Sequence, residues 1–319
     1  MEETDSMNGE PMEARVQAVP APGADASAPS VGLALSGGGV EGFAHIGACR
    51  ALGELGVRAD VIAGTSSGSI VAALTALGCT TEEIFDATER IYRGVSSISP
   101  ARLVRAVIGF LRRGKTGVDG LIDTAVIERI IDRCARGKGV GRLADVSRPA
   151  LAIVSVDTVR VREVAFCSRA PASSGPFDVY QDVSLGRAVR ASMAFPGLFQ
   201  PVGVGPYDCI DGGTIDNLPT RVVKAFGVDR IIAVDFNTER YTPAGNLEET
   251  ALRALDVYSR DDVRCAERLA DVVVTIDNGD TNIWQIDDLE RTVQNGYDAI
   301  MARRDDIARL LANDGAGDE

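Results

Sequence analysis

The sequence predicts an α/β fold with a mainly parallel sheet covered by helices, and three observations predict it. Val31–Leu35 is a short apolar run, followed by the glycine loop Ser36–Gly42, a helical stretch from about Phe43 to Leu55 and a second β-branched run ending at Ala63. Strand, loop, helix and strand make a βαβ unit, whose parallel strands need helices for cover. The second strand enters Gly64-Thr65-Ser66-Ser67-Gly68, a G-x-S-x-G pentapeptide that opens directly into the small and aliphatic helix Ser69–Ala76. Later in the chain the strong strand Asp229–Phe236, the long helix Leu247–Ala270 and the strand Val272–Ile276 continue the alternation.

The remaining elements follow in order. Residues 1–30 are rich in Glu, Pro, Ala, Gly and Ser, have little to bury and are expected to be disordered. Thr81–Tyr92 is a charged helix that starts with a capping threonine and acids in its first turn. Between Arg90 and Val118 there is no acid, and Ser99-Pro100 is a good helix start. In that helix Leu103, Val104, Val107, Ile108 and Leu111 share one face, and Arg102, Arg105 and Arg112 lie on the other. Thr124–Cys134 is amphipathic and helical. Ala150–Val156 and Val161–Cys167 flank Asp157-Thr158 as a hairpin. Pro171–Gln181 reads as a loop, Leu185–Met193 as a short helix, and Asp208–Ile210 as a short strand entering Asp211-Gly212-Gly213. Arg221–Phe226 is helical, and Asp288–Ala312 is a final helix before the tail 313–319.

Composition bounds the function. A chain of 319 residues with 45% hydrophobic and 25% charged residues can bury one large α/β core. Its net charge of −13 argues against nucleic-acid binding, which calls for a basic surface. Six scattered cysteines without C-x-x-C spacing and a single histidine leave no legible zinc site, and they read as small buried hydrophobes in a reducing compartment. No apolar run approaches the ~18 residues of a membrane-spanning helix. The acidic start is not that of a secretory signal, so a cytoplasmic location is expected.

The chemistry gathers in three loops. A strand, a glycine-flanked turn and a helix turn G-x-S-x-G into a nucleophile elbow, with Gly64 and Gly68 removing the Cβ atoms that so sharp a turn cannot hold. Ser66 is the central serine in the only frame that fits, because Thr65 cannot supply the first glycine for Ser67. The loop Gly37-Gly38-Gly39-Val40-Glu41-Gly42 admits two interpretations. It matches the dinucleotide pattern G-x-G-x-x-G, and Asp60 lies roughly 20 residues on, where a ribose-binding acid belongs. It also suits an oxyanion hole built from consecutive backbone N–H groups, and this second use explains why a nucleophile elbow ends the next strand. Asp211-Gly212-Gly213 is a turn by its composition. Its carboxyl follows a short strand, and it could serve as the base if burial raised its pKa from the usual ~3.9. His45, the single histidine, is either a third catalytic member or a packing residue, and the packing role is expected.

Together, GGGVEG, GTSSGS, Ala191–Phe199 (ASMAFPGLF) and Asp211–Pro219 (DGGTIDNLP) resemble the patatin-like phospholipases, in particular their short bacterial members. The resemblance covers about residues 31–312. It implies a three-layer α/β/α sandwich related to the α/β hydrolases, and acyl-ester hydrolysis of lipids without metal or other cofactor. It also implies Ser66 as nucleophile, Asp211 as base, Gly37, Gly38 and Gly39 as the oxyanion hole, and Gly64, Gly68, Gly212 and Gly213 as supports. One departure is Glu41, where the family usually has Arg or Lys. An acid there would oppose a developing anion unless it points to solvent.

The expected activity is therefore that of a serine lipid acyl hydrolase acting on phospholipid or lysophospholipid. The alternative is a catalytically weak relative that regulates by binding lipid or a protein, and the third is a dinucleotide-binding module. Within a lipid-facing cap region at residues 90–135, the basic helix with Arg102, Arg105 and Arg112 is the expected contact with an anionic membrane surface.

Overall fold

The computed structural model describes residues 29–96, 124–196, 198–237, 247–279 and 288–312. The segment with Arg102, Arg105 and Arg112, expected as a basic helix, residues 1–28 and the tail 313–319 lie outside the described residues.

Five parallel strands form the centre of one mixed sheet: β3 (Ala150–Asp157), β2 (Val61–Thr65), β1 (Val31–Leu35), β8 (Arg230–Phe236) and β9 (Val272–Ile276), in that spatial order. β4 (Arg162–Cys167) pairs antiparallel with β3, and β5 (Asp178–Tyr180) extends that edge parallel to β4. Side chains alternate along β1. Val31, Leu33 and Leu35 face a large apolar layer that includes residues of α1 (Ala44–Glu54), α2 (Ser67–Ala76), α3 (Thr81–Ser96), α4 (Ala125–Gly137) and α5 (Leu185–Ser192). Ala34 faces a second layer under α6 (Thr220–Ala225) and the end of α7 (Leu247–Glu267). Helices on both faces of a mostly parallel sheet make the expected three-layer α/β/α sandwich.

Local chemistry accounts for the helix ends. Thr80 and Glu83 form a reciprocal capping box at the start of α3, with Thr80 N–H donating to Glu83 Oε2 at 2.9 Å and Glu83 N–H to Thr80 Oγ1 at 3.2 Å. The expected final helix is two, α8 (Leu289–Ala302) and α9 (Arg304–Leu311), because Arg303 leaves the helical region at φ −105°, ψ 13°. Its guanidinium donates to Val273 O at 2.9 Å, tying the break to β9. Two further strands lie where no strand was expected: β5 inside the segment read as a loop, and β6 (Val202–Val204), which pairs with β7 (Tyr207–Asp211). Each has three residues, too few for an alternation to register.

The feature that builds the site is the length of β3. Its first residues, Ala150–Val154, pair with Val61–Thr65 of β2, and its last, Ser155–Asp157, pair with Cys209–Asp211 of β7. β4 holds the opposite edge of β3 from Ala152 to Asp157, so β2 and β7 share one edge and run toward each other. The C-terminal ends of two strands almost 150 residues apart in sequence thereby meet at one point. Thr65 sits against Val154 and Asp211 against Ser155.

Candidate active site

Ser66 lies between β2 and α2 with φ 50°, ψ −123°, a left-handed backbone that a side chain rarely adopts. Neighbouring backbone enforces the turn. A Cβ on Gly64 would stand 2.5 Å from Gly68 O, and one on Gly68 would stand 2.5 Å from Leu35 O and Ser36 O. The Ser66 N–H donates to Ser192 Oγ at 2.9 Å, and Ser69 N–H donates back to Ser66 O at 2.9 Å. The side chain is thereby presented at the C-terminal end of the sheet, the geometry of a nucleophile elbow.

Asp211 ends β7 and is 3% exposed. Its Oδ2 accepts the Ser66 hydroxyl at 2.7 Å, and its Oδ1 accepts Gly213 N–H at 2.8 Å. Asp211 N–H donates to Ala194 O at 3.0 Å, which ties the ASMAF segment to the same point. Gly212 packs on β3, where a Cβ would lie 2.4 Å from Val154 O. Burial pushes the Asp211 carboxyl up to about 6, and the hydrogen bonds from Gly213 and Ser66 hold it from rising further. A carboxyl in that range is ionised at neutral pH and basic enough to draw a proton from a hydroxyl it already holds.

The glycine loop lies beside the pair, since a Cβ on Gly37 would stand 3.0 Å from Ser66 Cβ. Its three N–H groups are not equivalent. Gly37 N–H donates to Asn217 O at 3.1 Å, and Gly38 N–H donates to Ser67 Oγ at 3.0 Å. Gly39 N–H has no partner among the described residues and is the member of the three that stands ready for a new acceptor. Asn217 Nδ2 donates to Gly37 O at 3.3 Å, so the DGGTIDNLP segment supports both the carboxyl and the glycine loop.

His45 is fully buried on α1, with its ring 4.6 Å from that of Phe236. Its Nε2 lies 2.8 Å from Ser36 O, an acceptor only, so Nε2 carries the proton. Burial lowers its pKa to about 4, so the ring is neutral. The packing role expected of it is the one observed. Glu41 is 4% exposed, so of the two alternatives it does not point to solvent: the acid is enclosed in the turn that follows the glycines. Asp60 precedes β2 and accepts Val31 N–H at 3.0 Å, at the end of the sheet opposite the glycine loop. A ribose-binding acid belongs at the C-terminal ends of the strands, so the dinucleotide interpretation fails. Cys167 and Cys209 are buried as expected, whereas Cys265 is exposed.

Three contributors were not singled out from sequence. Ser192 and Asn217 sit inside quoted motifs without a role assigned to them, and Tyr92, whose hydroxyl donates to Gly39 O, sits on α3 outside any motif.

Residues 33–224 match the family model described as patatin-like phospholipase. Lysophospholipase NTE1 of Debaryomyces hansenii is 30% identical over 206 residues, which are 65% of this chain and 12% of that protein. An uncharacterised NTE family protein of Mycobacterium tuberculosis is 31% identical over 206 residues, covering 65% of this chain and 30% of that protein. The chain thus spans from about a tenth to under a third of the length of these relatives. VipD from Legionella pneumophila superimposes with a TM-score of 0.49 at 17% identity, covering 87% of this chain and 67% of that one. No helix among the described residues is long and apolar enough to cross a membrane. With the match covering well over half of the chain, this protein belongs to the patatin-like phospholipase family.

Proposed function

We propose that the chain is a serine lipid acyl hydrolase with a two-residue catalytic centre. Ser66 attacks the ester carbonyl as Asp211 takes its proton. The tetrahedral oxyanion is held by backbone N–H groups of the glycine loop; its collapse expels the alcohol, which takes the proton from Asp211, and water activated by Asp211 then cleaves the acyl-enzyme and returns a proton to Ser66. The observation that carries this proposal is the 2.7 Å hydrogen bond from the Ser66 hydroxyl to a buried carboxylate. Phospholipid or lysophospholipid is the proposed substrate class. The family and the lysophospholipase relative support it, and a hydrolysis panel of phospholipids, lysophospholipids and soluble short-chain esters tests it.

The pH profile follows from Asp211. The base must be ionised to accept the serine proton, and its pKa is about 6, so kcat/KM for a soluble ester should rise through that region and level off above it. A profile that is flat from about pH 5 to about pH 8 would assign the proton acceptor to another group.

The membrane part of the proposal concerns the basic segment outside the described residues. Arginines at 102, 105 and 112 would meet anionic head groups, each contributing about 1 kcal/mol near such a surface. Reversing all three charges should abolish salt-sensitive co-sedimentation with anionic liposomes and leave soluble-ester hydrolysis nearly unchanged. Equal sedimentation of variant and parent would rule this segment out as the docking element.

A further inference from the structure

We propose that Tyr92 and Ser67 are positioning residues that together aim the glycine loop. This inference rests on the reaction proposed above and assigns to α3 a part in it. Tyr92 is 3% exposed and sends its hydroxyl across to donate to Gly39 O. Its ring packs beside Phe43 with centroids 5.5 Å apart, which fixes the direction of the phenol. Ser67 Oγ accepts Gly38 N–H at 3.0 Å, and its hydroxyl interacts with the Tyr92 phenol. The two side chains thus hold adjoining points of the loop: Ser67 at Gly38 N–H and Tyr92 at Gly39 O.

The consequence lies in the peptide planes. The Gly37–Gly38 peptide is held at its oxygen by Asn217 Nδ2 and at its N–H by Ser67. The Gly39–Val40 peptide is held at its oxygen by Tyr92. Between them lies the Gly38–Gly39 peptide, whose oxygen accepts Glu41 N–H at 3.1 Å and whose N–H, that of Gly39, has no partner among the described residues. Each peptide is a rigid plane, so holding the planes on either side fixes the direction of the one between. The left-handed φ of 59° at Gly39 completes the turn and suits glycine. Gly42 leaves room for the Ser67 side chain, since a Cβ there would stand 2.6 Å from Ser67 Oγ. A donor for a developing oxyanion is effective when it is already oriented, and here α3 supplies the orientation through Tyr92.

Tyr92→Phe keeps the ring and removes only the hydroxyl. On a soluble short-chain ester it should lower kcat about tenfold, less than the ~10²–10³ for losing an oxyanion donor outright, with KM changed by less than about twofold. Affinity for a trifluoromethyl ketone, which captures Ser66 as a tetrahedral oxyanion, should fall by the same factor as kcat. Ser67→Ala should act in the same direction, and the double variant should lose about as much as the more damaging single one, because both act through one loop. A Tyr92→Phe protein with a lowered melting temperature but unchanged kcat and ketone affinity would overturn the proposal. Should the parent hydrolyse no ester and take up no fluorophosphonate, the hydrolase proposal fails instead. Amide hydrogen exchange then decides the positioning role by itself. Exchange of the Gly38 amide about tenfold faster in Tyr92→Phe supports it, and unchanged exchange overturns it.

Discussion

Ser66→Ala is expected to lower kcat/KM for every ester substrate by roughly 10⁴-fold or more, the scale seen when a nucleophile is removed from a centre that acts as a unit. The fold should survive. Alanine keeps the Cβ around which Gly37 and the elbow are packed, and the Ser66 N–H bond to Ser192 does not involve the side chain. What is lost is one donor to a buried carboxylate, a change of about 1–3 kcal/mol. Circular dichroism and a thermal melt check the fold, and a sensitive fluorogenic ester checks the rate. Residual activity within about tenfold of the parent would remove Ser66 from the reaction.

Asp211→Asn should remove activity by roughly 10³-fold or more, since the amide cannot take the serine proton. It should also raise stability at neutral pH. The Asp211 carboxyl has a folded-state pKa of about 6, above its usual value of 3.8. A raised carboxyl pKa contributes stability that is fully present below the ordinary value and is lost as pH rises toward 6. At neutral pH the ionised, buried carboxylate therefore destabilises the fold, by on the order of 2–3 kcal/mol. Asparagine stays neutral, so the variant should melt higher than the parent near pH 7, and the difference should shrink as pH falls toward about 4. His45→Gln, by contrast, keeps a donor for Ser36 O and should leave activity within about tenfold of the parent. If the histidine variant folds and is as inactive as Asp211→Asn, the base has been misassigned.

The features legible in the sequence are those with a local cause. β1, β2 and β8 are continuous apolar runs because both faces of a central parallel strand are buried. The elbow could be located because Gly64 and Gly68 answer a steric demand within five residues. Asp211 was the harder case. Nothing local distinguishes its Asp-Gly-Gly from an ordinary turn, and family resemblance singled it out. Its place beside Ser66 depends on β3 being long enough to pair with both β2 and β7, which is a property of register between distant strands. The same reason hid Ser192, Asn217 and Tyr92. Each acts by hydrogen bonds across a gap of 53 to 180 residues, and a composition window carries no trace of that. The sequence leaves the place of Glu41 open for a related reason: the residue lies in a turn between the glycine loop and α1, where burial is set by packing.

Peptide mapping by mass spectrometry after reaction with a fluorophosphonate tests the central claim most directly, because the reagent bonds covalently only to a serine activated by a neighbouring base. One adduct is predicted, on Ser66, formed by the parent, absent in Ser66→Ala and strongly slowed in Asp211→Asn. An adduct on Ser67 or Ser69 instead, or no adduct on a folded parent protein, would contradict the Ser66–Asp211 assignment.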